Sequence, residues 1–304
     1  MNRRVATWIA AATLAAFGLG CRGGGTISTK TTVAPSEKPI IKDATREELL
    51  DKYNLYAQNI KTVTATVALK PTAGSKYSGV IEEYHEVKAF LLAARPENIR
   101  MIGQAPVIGT TVFDMASDGE TFRVSVPSKN KFLVGQVAGE FNSSKPIENL
   151  RPQHLLAALL WPEIRKEELV LFEEFNDETA RFYVLTVLRG GYRAEILRKI
   201  WFDRADLQVS RLQTFAPKGL LVSDVRYSDW QLVDPAQAGT PVTGAVTTFA
   251  HSIRIDRPHD DYRLDLQVTK IVLNSDIPAD RFKLEQPAGS ELEHVTEAEG
   301  NKQP

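Results

Sequence analysis

Cysteine is almost missing from this chain. Its 304 residues include one, Cys21, so no intramolecular disulfide can form and no thiolate cluster can hold a metal. Neither sign of charge is in excess. Lys and Arg number 37 against 38 Asp and Glu, a formal net charge of -1, without the basic stripe or tail that a nucleic-acid partner would want. The spacings of common catalytic sites are absent as well. There is no H-E-x-x-H, no G-x-S-x-G, and no Gly-rich phosphate loop, since Gly23-Gly24-Gly25 follows no strand. The histidines, His85, His154, His251, His259 and His294, are scattered without metal spacing. His259-Asp260-Asp261 has residue types suited to a metal or a proton relay, but it follows Pro258 and reads as a solvated turn. Glu82-Glu83 and Glu173-Glu174 are adjacent in strand-like segments. Their side chains point to opposite faces and are not placed for shared acid/base work. No catalytic residue, metal or cofactor is expected, and the chain reads as a non-enzyme.

What is present begins at the N-terminus. Met1-Asn2-Arg3-Arg4 is cationic, and Val5 to Phe17 carries no charge. That run is well short of the ~20 apolar residues that span a bilayer. Gly18-Leu19-Gly20-Cys21 then resembles the bacterial lipobox, with Gly18 where the pattern usually has Leu. The resemblance implies that residues 1–20 are a lipoprotein signal peptide and that Cys21 becomes the diacylglycerol-carrying first residue. Ordinary secretory cleavage, or a short uncleaved anchor, are the alternatives. Residues 21–42 are rich in Gly, Ser, Thr and Pro and read as a flexible tether. Position 22 is Arg, not the Asp that retains many lipoproteins at the inner membrane. By that likeness the chain is expected in the outer membrane, facing the periplasm.

A folded domain is expected over residues 43–289, with a polar, frayed tail over 290–304. Thr45 and Glu48 have capping-box spacing, and Leu49, Leu50, Tyr53, Tyr56, Ala57 and Ile60 recur near a 3.6 period. From Lys61 the period becomes two. Val63, Ala65, Val67 and Leu69 share one face and threonines the other, with a turn expected at Pro71–Ser75. Strands are expected at Tyr77–Ala94, Ile99–Gln104, Thr110–Ser117, Thr121–Pro127 and Lys131–Gly135. A second helix, Arg151–Leu160, has Pro152 in its first turn and a stripe of Leu155, Leu156, Leu159 and Leu160. Further strands are expected at Leu169–Phe175, Thr179–Leu188, Ala194–Asp203, Gln208–Ala216, Leu220–Leu232, Thr248–Asp256 and Leu264–Leu273. The fold class is mainly β (α+β). A large curved antiparallel sheet forms an incompletely closed β-barrel, with helices covering the concave face.

The order of these motifs is similar to the LolA/LolB-like outer-membrane lipoprotein-carrier superfamily. The likeness rests on Ser117-Asp118-Gly119-Glu120-Thr121-Phe122 leading into Ser128-Lys129-Asn130-Lys131, on Trp201–Leu207 and Val225–Trp230, and on the ending Ile277-Pro278-Ala279-Asp280-Arg281-Phe282-Lys283-Leu284. It implies a hydrophobic cavity that takes acyl chains, each buried CH₂ contributing about 0.8 kcal/mol. The candidate cavity residues are Val63, Val67, Leu69, Phe90, Leu92 and Phe113 from strands, with Leu155, Leu156 and Leu159 from the lid. Ordinary core is the alternative for each. The likeness also implies a membrane-insertion loop, best matched by Gln104–Thr110 with Val107 and Ile108 at its tip. Two readings remain: a lipid- or lipoprotein-binding envelope protein acting in transfer, or a structural envelope lipoprotein with a solid core that docks a protein partner.

Overall fold

A computed structural model describes residues 41–75, 79–138, 149–176, 180–191, 193–233 and 248–295. The expected signal peptide, Cys21 and the tether up to residue 40 lie outside the described residues. Residues from Ile40 onward belong to one unit of the chain.

Helix α1 (Arg46–Asn59) starts where its capping box says it should. The Thr45 hydroxyl accepts from the Glu48 amide at 3.2 Å, and the Glu48 carboxylate accepts from the Thr45 amide at 2.8 Å. Leu49, Tyr53, Tyr56 and Ala57 form its buried face. Its end is stitched by Asn274, whose Oδ1 accepts from the Lys61 amide at 2.7 Å and whose Nδ2 donates to the Asn59 carbonyl at 2.8 Å.

The strands are β1 (Thr62–Ser75), β2 (Val80–Glu83), β3 (Val87–Ala94), β4 (Asn98–Gln104), β5 (Thr111–Ser117), β6 (Thr121–Val126) and β7 (Lys131–Gln136). After helix α2 (Pro152–Leu159) come β8 (Glu168–Asn176), β9 (Arg181–Arg189), β10 (Glu195–Asp203), β11 (Val209–Ala216), β12 (Leu220–Leu232), β13 (Thr248–Arg257), β14 (Tyr262–Leu273) and β15 (Glu291–Val295). They form one sheet in the order β15-β7-β6-β5-β4-β3-β1-β14-β13-β12-β11-β10-β9-β8, with β2 paired to β1. Among the described residues no ladder joins β8 to β15, so the barrel stays open.

The sheet curls, and α2 shows by how much. This helix touches β4 and β5 on one side and β13 on the other. Five strand spacings of about 4.8 Å separate β5 from β13 along the sheet, some 24 Å if it were flat. A helix about 10 Å across reaches both only if the sheet wraps around it.

Three expectations need correction. β1 does not turn at Pro71: Pro71, Thr72 and Ala73 pair with Leu264, Arg263 and Tyr262 of β14, and β2 takes the other side. The strand expected over Tyr77–Ala94 is two, β2 and β3, both paired to β1. The tail expected to fray from Ser290 adds β15, which runs parallel to β7 and makes the sheet mixed. Between β14 and β15 the chain crosses the convex face. There Arg100 donates to the Arg281 and Lys283 carbonyls, each at 3.1 Å, and Asn130 donates to the Gly289 carbonyl at 3.0 Å.

Candidate functional site

The concave face is built by strand parity. Directly opposed residues of neighbouring strands share a face. Val63, Ala65, Val67 and Leu69 of β1 therefore stand beside Leu273, Ile271, Val268 and Leu266 of β14, and beside Ala93, Leu91, Ala89 and Val87 of β3. All of these are buried. Leu155, Leu156 and Leu159 of α2 join Val63, Val67 and Leu69 in one apolar cluster. Phe113 packs against that cluster half-buried, with its ring over Gly103 on the neighbouring strand.

Phe90 and Leu92 do not belong with them. They oppose Thr66 and Thr64, so they stand on the convex face, and Phe90 is 39% exposed. The inner positions of β3 are Val87, Ala89, Leu91 and Ala93, two of them alanine. The expectation placed Phe90 and Leu92 in the cavity, but face is set by pairing with β1, and the break after β2 interrupts the alternation from which a phase could be counted.

The middle of the concavity is filled by Trp161, just beyond α2. Its ring centroid lies 3.9 Å from Tyr56, 5.3 Å from Tyr53 and 5.4 Å from Tyr227. Trp161 Nε1 donates to the Tyr227 hydroxyl at 2.9 Å, and that hydroxyl donates to the Ala158 carbonyl at 2.8 Å. Burial holds the phenols of Tyr53, Tyr56 and Tyr227 well above the ordinary range, so all three are neutral. The segment after α2 is fastened further. Tyr53 donates to the Pro162 carbonyl at 2.9 Å, Arg95 to the Trp161 carbonyl at 2.8 Å, and Asn54 exchanges bonds of 2.9 and 3.1 Å with Ile164.

The other end of α2 is held differently, by polar groups. His154 Nδ1 pairs with the Tyr262 hydroxyl, and Gln153 pairs with the Ser117 hydroxyl. The Arg151 guanidinium sits 4.5 Å above the Phe122 ring. Burial, and then the nearby Arg257 and Arg151 charges, push the His154 pKa well below its ordinary value. The neutral ring and the Tyr262 hydroxyl then share one hydrogen bond at Nδ1, with the donor set by the imidazole tautomer. The cover thus has an aromatic anchor at one end and a short polar latch at the other.

The loop between β4 and β5 is a closed turn. Ala105 donates to the Thr110 carbonyl at 2.9 Å and Gly109 to the Ala105 carbonyl at 3.0 Å, with Gly109 at φ 66°. Val107 is 95% exposed and Ile108 76%. On the convex face a hollow of about 400 Å³ is lined by Thr64, Thr66, Phe90, Leu92, Ile102 and Arg281. His259 is exposed, and the Asp260 carboxylate accepts from Arg257 Nε at 2.6 Å. Among the described residues no three of His, Cys, Asp and Glu gather where they could hold a metal.

The residues that sequence reasoning missed are Trp161 and its tyrosines, and the latch pairs. Tyr53 and Tyr56 were legible as helix-face residues. No spacing in the chain announces that Trp161, 105 residues beyond Tyr56, stacks on them.

No protein-family model matches the chain, and no curated protein matches it. Among solved structures it is similar to a LolA superfamily protein from Nitrosomonas europaea, with 12% identity, 80% of this chain and 99% of that one covered, and a TM-score of 0.46. It is similar to a DUF1329 family protein from Desulfovibrio piger at 12% identity, covering 77% of this chain and 94% of that one, with a TM-score of 0.48. A third, described as an outer membrane lipoprotein-sorting protein domain from Vibrio parahaemolyticus, has 11% identity, covers 77% of this chain and 94% of that one, and gives a TM-score of 0.45.

Proposed function

We propose that the chain is a non-catalytic lipoprotein of the cell envelope. It binds the acyl chains of a lipid or an acylated lipoprotein, for transfer to or within the outer membrane. The observation that carries this reading is the cover of the concave face: a helix whose inner stripe is leucine, anchored at Trp161 and latched at His154 and Gln153. Leu155, Leu156 and Leu159 occupy space against Val63, Val67, Leu69 and Phe113 that an acyl chain would take if the latch opened. Apolar burial alone then supplies the binding energy. Cys21 carries the lipid anchor in this reading, and Val107 and Ile108 present an apolar tip to the membrane.

The test is native mass spectrometry of the full chain carrying Cys21→Ser, purified gently from a bacterial host. A co-purifying acyl-containing mass, lost in Leu156→Glu while the circular dichroism spectrum is kept, is the expected result. A clean apo mass, unchanged after incubation with phospholipid and acylated peptide, would sink the carrier reading. It would favour the second one, a structural lipoprotein that docks a protein partner. One observation favours that second reading: Trp161 and the leucines fill the concavity, and the hollow of about 400 Å³ lies on the convex face.

A further inference from the structure

The outer face of a half-buried sheet is ordinarily polar, and β1 follows that rule with Thr62, Thr64 and Thr66. Beside these threonines the convex face turns apolar. Phe90 and Leu92 of β3 oppose Thr66 and Thr64, and Ile102 of β4 stands directly opposite Phe90. Together they form the floor of the hollow of about 400 Å³, within the ~300–1,000 Å³ of small-molecule sites. One wall is supplied by Arg281, in the chain between β14 and β15, which is pinned where Arg100 donates to the Arg281 and Lys283 carbonyls. A contiguous apolar patch in a concave, walled setting marks a binding surface, whereas single exposed side chains do not.

The charges around this floor leave positive charge over. Asp114, across from Ile102 on β5, is taken up by Arg100 through bonds of 3.1 and 2.8 Å. Asp280 is exposed and does not line the hollow. Among the described residues no carboxylate pairs with the Arg281 guanidinium, which does line it. Lys88 Nζ lies 5.0 Å above the Phe90 ring, and Lys270 stands across from Thr66 on β14. Thr66 and Gln104 add the few polar groups that orient a ligand in an apolar site. We propose that the convex hollow binds a single-chain anionic amphiphile, its tail on Phe90, Leu92 and Ile102 and its head against Arg281. A peptide strand is the poorer match. β1, β3 and β4 each have a neighbour on both sides, so they offer no backbone edge to an added strand. The site lies on the opposite face from the leucines of α2, and it stands or falls apart from the carrier reading.

Methyl NMR of the full chain with Cys21→Ser, labelled at Ile, Leu and Val, separates the two faces residue by residue. Dodecanoate, kept below its micelle concentration, should shift the Leu92 and Ile102 methyls to saturation. Dodecyl phosphate should do the same, and the tighter of the two identifies the head as carboxylate or phosphate. Dodecyltrimethylammonium carries a like tail with the opposite charge and should bind at least about tenfold more weakly, as should dodecanoate to Arg281→Glu, since a hydrogen bond to a charged group is worth that much. Phe90→Asp should abolish the shifts, with methyl resonances away from the hollow unchanged. Arg281 is exposed, so its variant tests the head contact without disturbing the core. Unmoved Leu92 and Ile102 methyls overturn the proposal, as does equal affinity of Arg281→Glu and its parent, or of the cationic amphiphile and dodecanoate. Shifts confined to Leu155, Leu156 and Leu159 overturn it too, while leaving the carrier reading of the concave face in place.

Discussion

The Tyr227 hydroxyl takes a proton from Trp161 Nε1 at 2.9 Å and gives its own to the Ala158 carbonyl at 2.8 Å. One oxygen on β12 therefore fixes both the end of α2 and the indole that follows it. Tyr227→Phe keeps the ring and removes both bonds, but Trp161 Nε1 still donates to the Ala158 carbonyl at 3.3 Å, so it is expected to cost about 0.5–1.5 kcal/mol, the net worth of a hydrogen bond. Trp161→Ala should cost about 3–5 kcal/mol, because it opens a cavity among Tyr53, Tyr56 and Tyr227. Urea midpoints of the two variants check this, and equal losses would contradict it.

His154 sets a pH dependence with a definite sign. Its folded pKa lies below the ordinary value of 6.5, so below about pH 6.5 the unfolded chain binds a proton that the folded chain declines. The contribution is full above that pH and is lost as pH falls, by at most about 1.4 kcal/mol per pH unit. Urea midpoints measured between about pH 7.5 and pH 5 should fall more steeply for the wild-type chain than for His154→Gln. Parallel slopes would count against a buried neutral ring.

Arg198 and Glu168 form an ion pair at 2.6 Å with side chains 8% and 7% exposed, and Arg198 also donates to the Glu163 carbonyl at 2.9 Å. Arg198→Met alone leaves the buried carboxylate only the Arg165 amide at 3.2 Å and the exposed Arg165 guanidinium at 3.7 Å, and should cost about 3 kcal/mol. Arg198→Met with Glu168→Leu should recover most of that loss. A double-mutant cycle by denaturant titration measures the coupling, and additive losses would show that the pair is not coupled.

Gly103 has no side chain because Phe113 occupies the space where one would be. Gly103→Val is expected to destabilise by roughly 1–3 kcal/mol through overpacking, and Phe113→Ala should relieve it. If thermal melts show the two losses simply adding, the ring does not lie where it is described.

Val107 and Ile108 are exposed and make no core contact that a charge would disturb. Replacing both with Asp should change stability by no more than about 0.5 kcal/mol. It should reduce flotation of the Cys21→Ser chain with phospholipid vesicles. Undiminished flotation removes the loop from any membrane role.

Most elements could be read from the sequence because their signals are local. The Thr45–Glu48 box and the face of Leu49, Tyr53 and Tyr56 define α1 within a few residues, and alternation from Val63 to Leu69 gives β1 its two faces. What could not be read is long-range. The side on which Phe90 stands depends on its pairing with Thr66, and β15 depends on a partner strand 160 residues earlier, Glu291 against Lys131. Its polar residues, with no amphipathic period, fit an exposed edge as well as a frayed tail. The candidate site shared this fate: the leucines of α2 were legible from their stripe, whereas the latch joins side chains from distant strands.

The placement of β1 governs how the chain can be made. The first strand among the described residues lies mid-sheet, between β3 and β14. From Val63 to Ala73 one of its edges waits for Tyr262–Leu273, which arrive only after twelve other strands have been made. Loop closure over such a separation makes folding slow. Until β14 has been delivered, β1 carries an open, half-apolar edge, and the polypeptide is vulnerable to mispairing in transit. A chain cut anywhere before β14 therefore loses the closing partner of its own first strand, and no shorter N-terminal piece completes the sheet.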